Sequence, residues 1–473
     1  MNQPFAFARE VLNPKPKGEL KSSQQAVEKH LKDAHGSQEQ TKEKPDKLLE
    51  HPTPEINFND SPPTYKEFQD KLRRTRSGSA PGPNGVPYLV YKRCPGVAKQ
   101  LWYYLRNLWN RNKVCKSWQE AEGTFIPKED GAESIEKYRT ISLLNVEGKL
   151  FFSLKADRIT KFLMSNNYID TSIQKGGIPG ISGCLEHTAI LSQLIREAKA
   201  EKKNLVVTWL DIANAYGSIP HNIIQIALEK AHIPERTRQL VKSYYSNAKI
   251  RFTTRNFTTD WQKVERGIIT GCTLSVVLFA LTMSWLIASV KQETKGPKTT
   301  SGQRQCNSRL FMDDITTTTE TVPQTKHLLK RMIEILNWAG LTVKFVKCRA
   351  LVIYKGKITS MDIKVEDKKI KTILEMPIKY LGKQYTSSLD EKEQTECTMQ
   401  QLKTDLRKLE RCRIPRRYKC WIVEHMVLLR IMWPLSIYNI AMSKVEELQR
   451  KITASLKKWL RIPKSFSKDC MNS

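Results

Sequence analysis

The sequence lacks the cysteine patterns of disulfide-rich and zinc-binding proteins, and it has few acidic residues for its number of basic ones. Its ten cysteines, spread from Cys94 to Cys470, include no Cys-x-x-Cys pair and no cluster with histidine. This spacing argues against a disulfide framework and a zinc site. We therefore expect reduced thiols, as found in the cytosol or the nucleus.

Two kinds of apolar segment are also missing. The opening residues, MNQPFAFARE, have no apolar core of the length that a secretory signal needs, so we expect a protein that is not secreted. The longest apolar run, Leu274–Val290, is shorter than the ~20 residues of a membrane span and carries four hydroxyl-bearing side chains. We predict that this run is a buried core helix and that the protein has no membrane association.

Basic residues are abundant. The chain of 473 residues has 79 Lys and Arg against 48 Asp and Glu, a formal net charge of +31. Such an excess predicts a polyanionic partner. Hydrophobic residues make up 40% of the sequence, which is enough for a large core and excludes a basic disordered tail.

The pattern along the chain predicts both helices and strands. Residues 13–62 are rich in Lys, Glu, Gln and Pro, so we expect an exposed arm, with dense folding only after about residue 63. The segment TYKEFQDKLRRT predicts a helix capped by Thr64. Asn204–Ile212, NLVVTWLDI, predicts a strand covered on both faces that ends next to Asp211.

A second acidic site follows 102 residues later. The segment SRLFMDDITTTT predicts two short strands with Asp313 and Asp314 at the turn. A solvated turn is one interpretation of this pair. The other is a site for two Mg²⁺ ions, which Mn²⁺ could replace, because hard cations bind carboxylate oxygens and two ions ~3.5–4 Å apart serve phosphoryl transfer.

The segments around these carboxylates resemble a known family. WLDIANAYGSIPH and FMDD resemble two motifs of reverse transcriptases, and the order of SAPGPNGVP, QKGGIPGISGC, RGIITGCTLSVVLF, AGLTVKFVKC and KYLGKQY resembles that of non-LTR retrotransposons. The resemblance runs from about residue 76 to residue 386. Full-length elements of this kind also carry an endonuclease, which the sequence does not suggest here, so we expect a fragment of an element or a captured domain.

The resemblance implies an α+β right-hand polymerase fold with fingers, an antiparallel-sheet palm and a helical thumb. We place a basic, polar N-terminal arm at residues 1–62, the fingers at 63–200, the palm with its catalytic hairpin at 201–386, and a helical thumb at 387–473, where the sequence leaves open whether the thumb is truncated.

The same resemblance implies roles for individual residues. Asp211, Asp313 and Asp314 would be the catalytic metal ligands. Tyr216 stands where the family carries the aromatic side chain that blocks a ribose 2′-hydroxyl.

Five further residues match nucleotide-binding positions of the family. Lys128 and Arg139 would bind the incoming triphosphate, for which arginine is well suited. Thr270 stands where the family usually has Gln, and Gly271 would let the backbone approach the nascent base pair. Lys347 would be a general acid for the leaving pyrophosphate.

The implied activity is RNA-directed DNA synthesis from a primer 3′-end, with an RNA template, a DNA primer and dNTPs as partners. Two basic segments, 403–419 and 445–462, would pack beside the duplex backbone. Leu402, Leu406 and Leu409 give the first half of the former a helical apolar stripe. Two alternatives stay open, a catalytically silent nucleic-acid-binding relic and an RNA-dependent RNA polymerase, although Tyr216 argues against the second. The sequence leaves the oligomeric state open.

Overall fold

The computed structural model describes residues 4–13, 16–36, 42–389, 391–463 and 465. These residues form both helices and strands, grouped largely in separate runs along the chain, which agrees with the predicted α+β class.

The helices are α1 Pro4–Leu12, α2 Gln24–His35, α3 Tyr65–Arg74, α4 Tyr88–Arg93, α5 Pro95–Arg111, α6 Val146–Ser165, α7 Gly183–Ala200, α8 Ala215–Ser218, α9 His221–Lys230, α10 Glu235–Ser246, α11 Thr273–Ala288, α12 Val322–Trp338, α13 Lys392–Arg411, α14 Arg416–Ile422, α15 Leu428–Ile437 and α16 Met442–Leu460. The strands are β1 Glu120–Pro127, β2 Tyr138–Leu143, β3 Leu205–Leu210, β4 Lys249–Phe252, β5 Gln262–Lys263, β6 Ser308–Phe311, β7 Asp314–Thr319, β8 Arg349–Tyr354, β9 Lys357–Thr359, β10 Ile363–Val365, β11 Lys368–Thr372, β12 Ile378–Tyr380 and β13 Lys383–Tyr385.

The chain divides into two compact units. The larger unit comprises Lys17–Gly183 and Leu194–Thr372. The smaller unit comprises Met1–Pro16, Cys184–Gln193 and Ile373–Ser473. Each unit has a hydrophobic core of its own.

A seven-stranded central sheet organises the larger unit. Its strand order is β10-β11-β8-β3-β7-β6, with β9 paired to β8. All of its pairs are antiparallel except β11 with β8, which is parallel. Every residue of β3 is buried, as the continuous apolar sequence predicted.

Helix α11 lies in the core of the larger unit. It carries the apolar run that was predicted to be a core helix, and Phe279, Leu281 and Trp285 on it are fully buried. That prediction is confirmed. A small sheet in the same unit has the order β2-β1-β4-β5, in which β1 pairs with β2 antiparallel and with β4 parallel.

The N-terminal segment differs from the exposed arm that was predicted. Residues 1–3, 14–15 and 37–41 lie outside the described part, but α2 packs against α8 and β5 and buries Val27 and Leu31 completely. The prediction that dense folding starts only near residue 63 was therefore wrong, because two apolar residues one helical turn apart suffice to anchor a helix on a larger core.

Helix α3 begins at the predicted cap, with Thr64 and Glu67 forming a capping box.

Helices α13 to α16 form most of the smaller unit. Helix α13 buries Leu402, Leu406 and Leu409, as its predicted apolar stripe requires. Among the described residues, one helical stretch, Arg416–Ile437, is long and apolar enough to cross a membrane. Of its most apolar 18 residues, 28% are buried inside the protein. A single stretch of this kind is weak evidence, since core helices of soluble proteins pass the same test.

Candidate active site

The strand register brings the three acidic residues together. Strand β3 pairs antiparallel with β7, and Leu210 lies opposite Ile315. Asp211 follows Leu210 and Asp314 precedes Ile315, so both carboxylates lie at the same edge of the central sheet. Asp313 lies beside them in the turn between β6 and β7. The predicted hairpin is confirmed, and we call Ser308–Thr319 the Asp hairpin.

Burial and mutual repulsion act on these carboxyl groups. Burial, followed by the charges of Asp313 and Asp211, raises the pKa of Asp314 to about 6. The pKa of Asp313 is also raised, chiefly by burial and further by Asp211. Asp314 keeps an exposed surface, so water screens part of the repulsion that it experiences. The site therefore holds negative charge that is costly without a compensating cation.

The chemistry of this donor set fits a divalent cation. Carboxylate oxygens are the ligands that Mg²⁺ and Mn²⁺ prefer, and a cation would relieve the repulsion between the three groups. Within the described residues, no group of three His, Cys, Asp or Glu side chains converges closely enough to enclose one metal ion.

Lys347 lies next to this acidic edge. Its Nζ is 3.6 Å from Oδ2 of Asp211, and both side chains are partly exposed. The backbone N–H of Lys344 donates to the carbonyl of Asp211 at 2.8 Å, which ties the loop before β8 to the end of β3. The structure thus places Lys347 within reach of the metal-ligand candidate that lies at the end of β3.

Tyr216 is held rigidly on the short helix α8. Its ring stacks on the ring of Phe279, with 4.2 Å between centroids and an interplanar angle of 19°. Burial raises the pKa of the Tyr216 hydroxyl to about 12, with a further contribution from the nearby charge of Asp313. A fixed aromatic ring near the carboxylates is what a steric gate requires.

Thr270 and Gly271 lie against strand β2. The Thr270 Oγ1 accepts a hydrogen bond from the Ser142 backbone N–H at 3.2 Å and lies 3.0 Å from the Ser142 hydroxyl. Gly271 has a φ of +88°, and a Cβ there would lie 2.7 Å from the Ser142 carbonyl oxygen. Only glycine fits this backbone without strain. The Thr270 hydroxyl is therefore hydrogen-bonded to the protein itself. The Gln that the family usually carries at this position has a longer side chain, which would extend further from the backbone.

Lys128 and Arg139 lie at the loop end of the β1–β2 hairpin in the small sheet. Arg139 is opposite Ile126, and the Lys128 backbone N–H donates to the carbonyl of Lys137 at 2.9 Å. Both side chains are exposed, and the Lys128 ammonium donates to the carbonyl of Glu136 at 2.6 Å. The hairpin brings these two cations together on a sheet separate from the one that carries the carboxylates.

Comparison with known proteins agrees with this arrangement. Residues 126–385, more than half of the chain, match the family model described as "Reverse transcriptase (RNA-dependent DNA polymerase)". The chain belongs to the reverse transcriptase family. The resemblance that the sequence motifs indicated is thereby confirmed.

Curated relatives are Pol polyproteins of R2 retrotransposable elements. The chain is 27% identical over 306 residues to the "Retrovirus-related Pol polyprotein from type-1 retrotransposable element R2" of Nasonia vitripennis, covering 64% of this chain and 28% of the relative. It is 22% identical over 408 residues to the R2DM polyprotein of Drosophila melanogaster, covering 83% of this chain and 36% of the relative. It is 23% identical over 404 residues to the R2 polyprotein of Bradysia coprophila, covering 83% of this chain and 44% of the relative. The chain thus spans less than half the length of these relatives.

Sequence analysis missed three residues that support the site. The Phe279 ring stacks on Tyr216, the Ser142 hydroxyl is hydrogen-bonded to that of Thr270, and Gln174 accepts a hydrogen bond from the Asp hairpin. Phe279 and Gln174 lie in segments that resemble family motifs, and Ser142 lies in β2, but each partner is more than 60 residues away in the sequence, so only the tertiary structure reveals the pairing. For Gln174, the adjacent Gly-Gly in QKGGIPGISGC was the one available signal, because paired glycines mark a close approach of two backbones.

Proposed function

We propose that this protein is an RNA-directed DNA polymerase that extends a primer 3′-end with dNTPs on an RNA template, and that it derives from a non-LTR retrotransposon. The observation that carries the proposal is the strand register, which places Asp211, Asp313 and Asp314 at the same edge of the central sheet, in a chain of the reverse transcriptase family.

The three carboxylates would hold two Mg²⁺ ions, which Mn²⁺ could replace. When bound, such ions supply activation of the primer hydroxyl and stabilisation of the leaving phosphate. The rigid ends of β3 and β7 support this role, because metal ligands on regular elements are held more precisely than those on loops.

The proposed right-hand architecture uses the boundaries drawn from the sequence. Strands β1 and β2 of the small sheet fall within the fingers at residues 63–200, whereas β4 and β5 fall, with the central sheet, within the palm at 201–386. Helices α13 to α16 fall within the thumb at 387–473, and the arm occupies 1–62.

The remaining site residues would act on the nucleotide. The Tyr216 ring, fixed by Phe279, would exclude a ribose 2′-hydroxyl by its bulk. Lys128 and Arg139 would bind the triphosphate through charge-assisted hydrogen bonds. Thr270 and Gly271 would line the nucleotide pocket, and Lys347 would donate a proton to the departing pyrophosphate.

Electrostatics support a nucleic-acid partner. The net charge of +31 attracts a phosphate backbone without reading its sequence. Exposed arginines follow the buried stripe of α13 and continue into α14, namely Arg407, Arg411, Arg413, Arg416 and Arg417. We further propose a nuclear or cytoplasmic location, which localisation of a tagged chain would test.

Primer extension tests the proposed function. A labelled DNA primer annealed to a homopolymer RNA template should be extended when Mg²⁺ and the complementary dNTP are present. Binding of the template–primer without extension would indicate a silent relic, and preferential use of the ribonucleotide would indicate an RNA polymerase.

A further inference from the structure

The segment Ile173–Gly177 runs alongside the first strand of the Asp hairpin. The Leu310 backbone N–H donates to the carbonyl of Ile173 at 2.8 Å, and the Lys175 N–H donates to the carbonyl of Leu310 at 3.0 Å. Gln174 and Leu310 form a parallel bridge. The segment therefore covers the free edge of β6, which would otherwise expose unpaired backbone groups.

Gln174 reaches from this segment to the turn that carries the catalytic carboxylates. Its side chain is fully buried, and its Oε1 accepts hydrogen bonds from the N–H of Gly176 at 2.8 Å and of Met312 at 3.2 Å. Met312 immediately precedes Asp313 and has a φ of +60°. A methionine in this left-handed conformation is unfavourable by itself and persists only where the surroundings hold it.

Two glycines allow this close approach. A Cβ at Gly176 would lie 2.4 Å from the Met312 backbone nitrogen. Gly177 has a φ of +71°, and a Cβ there would lie 2.9 Å from Sδ of Met312. No larger residue fits at Gly176 unless the Met312 peptide moves.

We propose that Gln174 is a positioning residue for the proposed polymerase reaction, whose amide oxygen holds the Met312 peptide and thereby fixes the orientation of Asp313 and Asp314. The inference rests on the proposed function for its catalytic part. Its structural part, that Gln174 fixes the turn, stands on the two hydrogen bonds and the φ of Met312.

The variant Gln174→Met tests the catalytic part, because methionine matches the shape of glutamine but accepts no strong hydrogen bond. A small displacement of catalytic groups costs up to about a hundredfold in rate, so we expect kcat to fall roughly 10- to 100-fold. The KM for dNTP and the Kd for template–primer should change less than about threefold, since neither ligand contacts Gln174 in this account.

Gln119→Met is the matched control. Gln119 is 6% exposed, and its Nε2 donates to the carbonyls of Ser243 at 2.7 Å and Tyr244 at 3.0 Å. It is thus a buried glutamine with two backbone hydrogen bonds outside the Asp hairpin. We expect Gln119→Met to lose about as much thermal stability as Gln174→Met, because each variant loses two buried hydrogen bonds. Its kcat should stay within about twofold of the parent value, because the hydrogen bonds of Gln119 lie outside the Asp hairpin.

Hydrogen exchange tests the structural part without activity. The Met312 amide, followed in a peptide that covers residues 308–316, should exchange faster in Gln174→Met than in the parent or in Gln119→Met. Gly176→Ala leaves Gln174 intact but displaces the Met312 peptide, so it should lower kcat in the same way.

Equal kcat values for Gln174→Met and Gln119→Met, or unchanged exchange at Met312, would overturn the inference. A parent protein that extends no primer would contradict the proposed function instead, and exchange at Met312 would then still decide whether Gln174 holds the turn.

Discussion

At the scale of single residues, the proposed selectivity for the sugar of the nucleotide would depend on how firmly Tyr216 is held. The Tyr216 ring stacks on the ring of Phe279, with 4.2 Å between the centroids. Because α11 is buried along almost its whole length, Phe279 itself has little freedom to move. A blocking side chain supported in this way excludes a hydroxyl by repulsion and needs no hydrogen bond of its own.

We expect Tyr216→Ala to incorporate ribonucleotides. Removing the ring should reduce discrimination between dNTP and rNTP, measured as the ratio of kcat/KM, by roughly 10- to 100-fold, the range that steric selection supplies. Tyr216→Phe keeps the bulk and loses only the hydroxyl, so it should discriminate like the parent. Unchanged selectivity in Tyr216→Ala would show that another residue is the gate.

At the scale of elements, the helices of the smaller unit are joined by a buried ion pair. The Asp405 side chain on α13 is 1% exposed and accepts hydrogen bonds from Nη1 of Arg430 on α15 at 2.8 and 2.9 Å. Gln401 also donates to Asp405, at 2.9 Å. Burial raises the pKa of Asp405, and the charge of Arg430 opposes that rise.

Arg430→Leu should therefore lower the free energy of unfolding by about 3–5 kcal/mol, because it leaves a buried carboxylate without its cation. The double variant Asp405→Leu/Arg430→Leu removes both charges and should lose less. Chemical denaturation of the three proteins gives the comparison. Equal losses in the single and double variants would mean that the pair does not stabilise the two helices.

The sequence predicted the elements that carry the carboxylates because their signals are local. A nearly continuous apolar run followed by Asp211, and a turn dipeptide followed by β-branched residues, suffice to place β3 and the Asp hairpin. The packing of α2 and the contact of Gln174 with Met312 both depend on partners that are more than 100 residues away in the sequence. A single sequence does not identify such partners: the Gly-Gly after Gln174 marks a close backbone approach but not the segment approached, which is why the arm was predicted to be exposed and Gln174 was not singled out.

At the scale of the whole molecule, the net charge of +31 should make binding of template–primer strongly dependent on salt. Each neutralised phosphate contributes a slope of about −0.7 to −0.9 in log K against log salt. We expect a total slope of roughly −4 or steeper, corresponding to at least about five phosphate contacts. Fluorescence anisotropy at increasing KCl concentrations measures it, and a flat titration would contradict electrostatic binding.

Acidification should destabilise the larger unit. Burial lowers the pKa of His35, His51 and His221, so each of them binds a proton less readily in the folded protein than in the unfolded chain. The unfolded chain binds their protons near pH 6.5, and stability is therefore complete above about pH 6.5 and falls as the pH drops below it. The raised pKa values of Asp313 and Asp314 act in the opposite direction.

Melting temperatures between pH 7.5 and pH 5.0 measure this dependence. His35→Gln should reduce the loss on acidification, because glutamine binds no proton in either state. A loss of the same size in His35→Gln and in the parent would contradict the contribution of His35.

Extension of a primer on an RNA template by Asp313→Asn tests the central claim most directly. Asn matches the shape of Asp but is a poor ligand for Mg²⁺, so we expect extension to fall by at least about a thousandfold while the Kd for template–primer stays within about threefold. Asp362→Asn is the matched control, since Asp362 lies in an exposed ion pair with Lys369 on the same sheet and should extend like the parent. Extension by Asp313→Asn at the rate of the parent and of Asp362→Asn would contradict the assignment of the acidic edge as the catalytic site.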